Sequence, residues 1–304
     1  MSPLPDDYLP SDADIAFYEE HGWFISRLVF DEDIIDDLLY ATERHYAGER
    51  DYELLYELHN DWTPAMGDVM RQNDYVSLQN ETIRRFTIDS PIGAVARALA
   101  RTSKVRLFHD QLIYKPADGR VKKSTVAWHT DYAYWDTCTS DNMLTAWVAL
   151  DDIRPDMGPM VMIDRSHRWS SQYAMRNFHD QDNAASIAAK LAEGRDTVEA
   201  PMLLRRGQVS FHHCRTIHGG YPNESAVPRR GYAIHMQDAS NRYRRQLLLD
   251  ERLAIHTNDV LCRKDAAGNP DYGDPFVCPE MHPMSELLVD AMPLEEADLN
   301  TGRS

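Results

Sequence analysis

Two stretches decide how this chain is read: Ala127-Trp128-His129-Thr130-Asp131-Tyr132-Ala133-Tyr134-Trp135, and Gly207-Gln208-Val209-Ser210-Phe211-His212-His213-Cys214-Arg215-Thr216-Ile217-His218-Gly219-Gly220-Tyr221-Pro222-Asn223. In a strand, residues i and i+2 share a face, so His129 and Asp131 can aim at one point from one strand end, with Trp128 and Thr130 turned away. His218, 87 positions beyond Asp131, supplies a third donor. Two imidazoles and a carboxylate are the ligand set of a non-haem Fe(II) site with three positions left open, for a bidentate co-substrate and O2. An H-x-D pair occurs by chance in many chains, and thirteen histidines make a third partner easy to find. The surrounding sequence therefore has to carry the argument.

Working outward, residues from Val105 to about 240 break into short β-rich runs: 105–115, 125–130, 143–150, 159–164, 197–204, 207–213, 215–218 and 230–238. Gly119, Asp156-Met157-Gly158-Pro159, Gly207 and Pro222-Asn223 punctuate them. Many short strands at modest spacing suggest a β-sandwich or jelly roll. One interruption, about 181–194, reads as an inserted helix. The first hundred residues read as largely helical: 11–22 with Ser11 as N-cap and Gly22 as stop, 31 to about 46, and a helix opened by Ser90-Pro91. Trp23–Phe30 is a strand candidate between the first two, 50–75 is weakly periodic, and the tail beyond 240 has no clear pattern. We expect one domain over 1–304: helical support and lid over 1–104, the jelly-roll core over 105–240, and a C-terminal extension over 241–304.

The chain has 304 residues, 43% hydrophobic and 27% charged, the balance of a soluble globular protein. No apolar run approaches the roughly 18 residues that span a membrane. The N-terminal segment carries neither the basic nor the apolar part of a secretory signal, which makes a cytoplasmic location the expectation. A formal charge of −17 argues against a nucleic-acid partner and against an anionic membrane surface. A small-molecule substrate and a monomer or homodimer are expected. The four cysteines are scattered without a C-x-x-C pair, so neither a structural zinc site nor a disulfide framework is supported.

The ordered motifs Trp128-His129-Thr130-Asp131, Thr145-Ala146-Trp147-Val148-Ala149-Leu150-Asp151-Asp152, Gly158-Pro159, Ser166-His167, Phe211-His212 and His218-Gly219, followed by Asn223-Glu224-Ser225 and an arginine, make the chain resemble the phytanoyl-CoA dioxygenase-like Fe(II)/2-oxoglutarate oxygenases. The resemblance covers roughly 105–240, with a weaker match in the N-terminal helix and strand. It implies a double-stranded β-helix (jelly-roll, cupin-like) core and iron ligands at His129, Asp131 and His218. It also implies a carboxylate-binding arginine at Arg229, eleven residues past the second histidine, with Arg230 as competitor. A guanidinium suits that task because it grips a carboxylate bidentately.

On the strand 107–115, alternation puts Gln111 and Lys115 on one face, where family members contact co-substrate or substrate. Trp147 aligns with a tryptophan beside the 2-oxoglutarate, core packing being its alternative, and Thr145 could offer the co-substrate a hydroxyl. Tyr132, Tyr134 and Trp135 could line the substrate side or form a packed aromatic cluster. The N-terminal helices and the insertion near 165–195 are the expected lid. Some relatives have Ser where this chain has Gly220. Asp131 is intact, whereas halogenating relatives replace the carboxylate to admit chloride. The resemblance thus implies hydroxylation of a C–H using Fe(II), 2-oxoglutarate and O2, with release of succinate and CO2. Desaturation, cyclisation or epimerisation on the same fold, or a non-enzymatic cupin-like binder, are the other readings.

Overall fold

A computed structural model describes residues 8–54, 56, 58, 61–118, 124–169, 176, 197–248 and 250–281. Strict alternation along β5 (Leu144–Ala149) shows how the layers form. Leu144, Ala146 and Val148 pack into a large apolar cluster with the N-terminal helices, while Trp147 and Ala149 face a second cluster on the opposite side of the strand. The same parity holds in β10 (Arg229–Asp238), where Tyr232, Ile234 and Met236 meet the helices and Ala233 turns inward. Each wholly buried Ile, Leu or Phe side chain contributes about 1.5–3 kcal/mol, so the outer helical layer is the main support of this sheet.

The strands form two antiparallel sheets. The larger contains β1 (Trp23–Val29), β2 (Arg71–Asp74), β3 (Val105–Lys115), β5, β8 (Gln208–His213) and β10 in the order β1-β8-β5-β10-β3-β2. The smaller contains β4 (Val126–His129), β6 (Met160–Ile163), β7 (Glu199–Pro201) and β9 (His218–Gly220) in the order β4-β9-β6-β7. Trp147 and Ala233 from the first sheet and Met160 and Met162 from the second share one apolar cluster between the layers. This is the expected jelly-roll core with a helical N-terminal region.

The helices are α1 (Asp12–His21), α2 (Glu32–Tyr46), α3 (Glu81–Asp89), α4 (Ile92–Leu99) and α5 (Thr257–Leu261). Ser11 and Asp14 form a capping box at the start of α1, and Gly22 ends it at φ 78. A side chain on Gly22 would sit 2.3 Å from the His167 ring, so both conformation and space demand glycine there.

Several expectations are revised. The N-terminal region is not only support, because β1 and β2 form both edges of the larger sheet. β2 escaped notice because Arg-Gln-Asn-Asp has no apolar alternation; its Arg71 is instead held against the Tyr46, Trp62 and Tyr114 rings. Ser90 closes α3 rather than capping α4, and Asn80 caps α3, accepting from Ile83 N–H at 3.0 Å. The strand expected over 215–218 begins only at His218, since 213–216 make a tight turn (Thr216 N–H to His213 carbonyl, 2.8 Å). The inserted helix expected over 181–194 and the Gly119 turn lie outside the described residues.

Candidate active site

The register of the smaller sheet brings the two histidines together: His129 at the end of β4 pairs directly with His218 at the start of β9. In each, Nδ1 lies near the carbonyl two residues earlier, Ala127 at 2.8 Å and Thr216 at 3.0 Å. Those carbonyls take the Nδ1 protons and leave both Nε2 lone pairs open. Asp131 does not continue the strand; it opens a 3-10 turn over Asp131–Tyr134. Its Oδ1 lies 4.0 Å from His129 Nε2 and 3.5 Å from His218 Nε2, and one ligand atom from each residue falls within 4.8 Å of the others. Burial pushes the His129 imidazole down to about 4 and His218 well below its usual range, so both stand neutral, as ligands must. Burial alone would raise the Asp131 carboxyl, but the His218, His235 and His212 imidazoles around it hold it well below the carboxylate range. Two neutral nitrogens and one carboxylate oxygen converging from one side fit a divalent iron ion.

The second Asp131 oxygen is held from behind. Thr145 Oγ1 donates to Oδ2 at 2.6 Å, and His212 Nε2 lies 3.1 Å from the same atom. With its single proton committed, Thr145 must accept from His235 Nδ1, 2.7 Å away. His235 Nε2 in turn lies 3.2 Å from Gln111 Oε1, which ties the ring to β3. Thr145 thus orients the carboxylate from the wall of the inner cavity.

Beyond the triad, between the sheets, an inner cavity ends on two buried cations. Arg229 is 3% exposed and donates to the Gly158 carbonyl at 3.2 Å, with its guanidinium 5.1 Å from the Trp147 ring. Gly231 makes that stacking possible, since a Cβ there would lie 2.0 Å from the indole. Lys115, fully buried, donates to the carbonyls of Gly158 at 3.2 Å and Tyr221 at 2.5 Å. Burial lowers Arg229 to about 10; burial and then the Arg229 charge push Lys115 well below the usual lysine range. Arg230 faces the other way, in an ion pair with Asp151 at 2.6 Å. At Gly220 a Cβ would lie 3.0 Å from Lys115 Nζ, so the lysine fills space that a serine would take.

On the other side of the triad lies a wider cavity of about 460 Å³. Gln111, His129, Asp131 and His235 form the wall common to both. Tyr134 and Trp135 line the outer cavity, but Tyr132 does not. The 3-10 turn rotates Tyr132 away from its neighbours, its N–H bonds the Cys214 carbonyl at 2.9 Å, and its ring packs on a separate apolar cluster. Cys214 is buried and donates to the Asp141 carbonyl at 3.2 Å, away from the ligand set. Sequence reasoning missed His212, His235, His109 and His256. His235 was within reach, because it shares the parity of Arg229 along β10.

A jelly roll with this constellation on one rim, and cations at the closed end, defines the class of the 2-oxoglutarate-dependent non-haem iron dioxygenases. The sequence model of the phytanoyl-CoA dioxygenase (PhyH) family matches residues 18–231, and the chain belongs to that family. It is 33% identical over 135 residues to a probable alpha-ketoglutarate-dependent hypophosphite dioxygenase of Stutzerimonas stutzeri, a match spanning 42% of this chain and 45% of that protein. It is 24% identical over 241 residues to the peroxisomal phytanoyl-CoA dioxygenase of Bos taurus, covering 75% and 68%. Among solved structures, the non-heme alpha-ketoglutarate-dependent carbocyclase SnoK from nogalamycin biosynthesis superposes with a TM-score of 0.65 at 21% identity, covering 90% of this chain and 97% of that one. That likeness is one of fold. Among the described residues, no helix is long and apolar enough to cross a membrane.

Proposed function

We propose that the protein is an Fe(II)/2-oxoglutarate-dependent dioxygenase that hydroxylates an unactivated C–H of a small molecule, in secondary metabolism or catabolism, releasing succinate and CO2. One observation carries the reading: the His129–Asp131–His218 cluster opens onto an inner cavity also lined by Arg229 and Lys115, two buried basic side chains that no carboxylate among the described residues pairs. A dicarboxylate that chelates a metal at one end and needs a cation at the other satisfies both ends at once.

In this reading His129, Asp131 and His218 hold the iron. The bound metal, with 2-oxoglutarate and O2, supplies the oxidising power for C–H cleavage as the co-substrate is decarboxylated. Arg229 donates to the distal carboxylate of 2-oxoglutarate, and Trp147 keeps the guanidinium in place. Lys115 adds a second donor beside it. Thr145 and His212 fix the Asp131 carboxylate so that Oδ1 faces the histidines. Gln111, in the wall shared by both cavities, separates co-substrate from substrate. Asp131 also fills the ligand position a halide would need, which favours hydroxylation over halogenation.

The test is succinate formation that requires both added iron and 2-oxoglutarate, with mass analysis of the product of any stimulating substrate. Gain of one oxygen is the expected outcome. Loss of two hydrogens would move the assignment to desaturation or ring closure. Absence of iron-dependent turnover would favour a binding protein.

A further inference from the structure

The outer cavity is roofed from outside the jelly roll. Leu248, Ala254, Ile255, His256 and Thr257 line it, all beyond the residue at which the family match ends. A small hairpin (Leu248 N–H to Arg252 carbonyl, 2.8 Å; Ala254 N–H to Gln246 carbonyl, 2.9 Å) leads into α5. Asn258 ties that helix to β3 by donating to the Phe108 carbonyl at 2.7 Å.

This arrangement dictates the state of His256. The residue caps α5, and its Nδ1 accepts from Asn258 N–H at 3.2 Å. The proton of a neutral ring must then sit on Nε2. Stacking on Phe108, at 4.6 Å between centroids, holds the ring in place, and no described residue accepts from Nε2. Burial pushes the imidazole down to about 3, so it stays neutral. Beside it stands His109, 8% exposed and stacked at 4.1 Å on His235. Its Nδ1 is buried without a hydrogen-bond partner among the described residues, and burial lowers its pKa well below the usual range. A buried imidazole on a cavity wall without a partner is costly unless a ligand completes it.

The charges point the same way. Asp74 and Asp136 bring carboxylates to the cavity, and Arg176, the guanidinium among the described lining residues, is engaged by Asp136 and the Ala133 carbonyl. With both imidazoles neutral, the described lining offers an anion no uncommitted cation.

On the reading of the site given above, we infer that the outer cavity selects a compact polar substrate, neutral or cationic, that places a carbonyl or hydroxyl oxygen on His256 Nε2–H and a second polar group at His109. A phosphorus oxyanion or a CoA ester would find no uncommitted cationic side chain among the described lining residues.

The experiment uses the full-length iron-loaded enzyme and a metabolite library in four sets: alcohols and amides, amines, carboxylates together with hypophosphite, and acyl-CoA esters. Succinate formed without added substrate is recorded first and reports on the functional reading alone. Stimulation above that rate is expected from the first two sets. Stimulation confined to the anionic sets, or by no member, overturns the inference, and if the basal signal stands the functional reading survives it.

On the best substrate, His256→Asn keeps a cap acceptor, but its shorter amide draws the donor back from the cavity. It is expected to raise substrate KM about five- to tenfold, with a smaller change in kcat and an unchanged melting temperature. His256→Gln, whose amide N–H reaches one methylene further into the cavity, is expected to recover part of the loss. Wild-type KM in His256→Asn overturns the assignment. Nitrogen-15 spectra of histidine-labelled enzyme give an independent reading: His256 protonated only on Nε2 between pH 6 and 8 supports it, and a charged or Nδ1–H ring overturns it.

Discussion

The two cavities on either side of the triad are built by different means. Apart from Asp131, which opens the 3-10 turn, every described polar group of the inner cavity stands on regular strand or at a strand end: Gln111 and Lys115 on β3, His129 on β4, Thr145 and Trp147 on β5, His212 on β8, Arg229 and His235 on β10, His218 on β9. The outer cavity draws on the end of edge strand β2, a 3-10 turn, a hairpin and the cap of a five-residue helix. Paired strands place side chains rigidly, which a metal and a dicarboxylate require. Irregular segments change shape without unpairing the sheet, and specificity usually resides there. The sharpest way to break this division is to remove a ligand from the strand side. His218→Ala, and equally His129→Ala, is expected to reduce iron-dependent succinate formation to the level of metal-free enzyme and to abolish stoichiometric iron binding, read by metal analysis after desalting. Retained iron and turnover would place the metal elsewhere.

The next largest effect tests the closed end of the same cavity. Arg229→Ala is expected to raise KM for 2-oxoglutarate about 100-fold, the consequence of leaving a buried carboxylate without its guanidinium. Arg230→Ala, which breaks the outward pairs with Asp151 and Glu43, is expected to stay within about twofold, as partly exposed ion pairs imply. Steady-state kinetics at saturating iron separate them. If the two exchange roles, β10 would have to be shifted by one residue against β3 and β5.

The same contrast explains what could be read in advance. Strand parity put Arg229 and Arg230 on opposite faces, the family resemblance chose between them, and parity grouped Gln111 with Lys115; a one-residue slip would expose the apolar partners Tyr232 and Ile234. Parity failed where the backbone leaves the strand. The 3-10 turn brings the adjacent Tyr134 and Trp135 to one cavity wall, which no strand could do, and packs Tyr132, open to either reading from sequence, on an apolar cluster. β2 was invisible because its stability comes from Arg71 lying among three aromatic rings, all distant in sequence. The role of Thr145 depends on which of two neighbours takes its only proton, a matter of distances to Asp131 and His235. His256 is the extreme case, since its tautomer follows from a bond to the backbone two residues on.

Thr145→Val keeps shape and removes that proton. It is expected to weaken iron affinity or activity about 10- to 100-fold, the usual cost of losing a group that orients a metal ligand, while KM for 2-oxoglutarate moves little. If only that KM changed, Thr145 would belong to the co-substrate rather than to Asp131. Competition with a calibrated chelator gives the iron affinity directly.

The smallest effect sets the two cations of the inner cavity against each other. Lys115 is depressed by burial and by Arg229, whereas Arg229 itself stays near 10 and is charged through neutral pH. A carboxylate arriving beside Lys115 raises its pKa, so binding takes up a proton wherever the empty enzyme has lost it. By linkage, affinity then falls as pH rises, by no more than tenfold per unit for one proton. KM for 2-oxoglutarate is accordingly expected to rise several-fold from pH 7 to pH 9. In Lys115→Met, which has no proton to take up, the profile is expected to be weaker in affinity but flat. A flat profile in the wild type would mean that Lys115 binds the co-substrate uncharged or not at all, leaving Arg229 as the anchor.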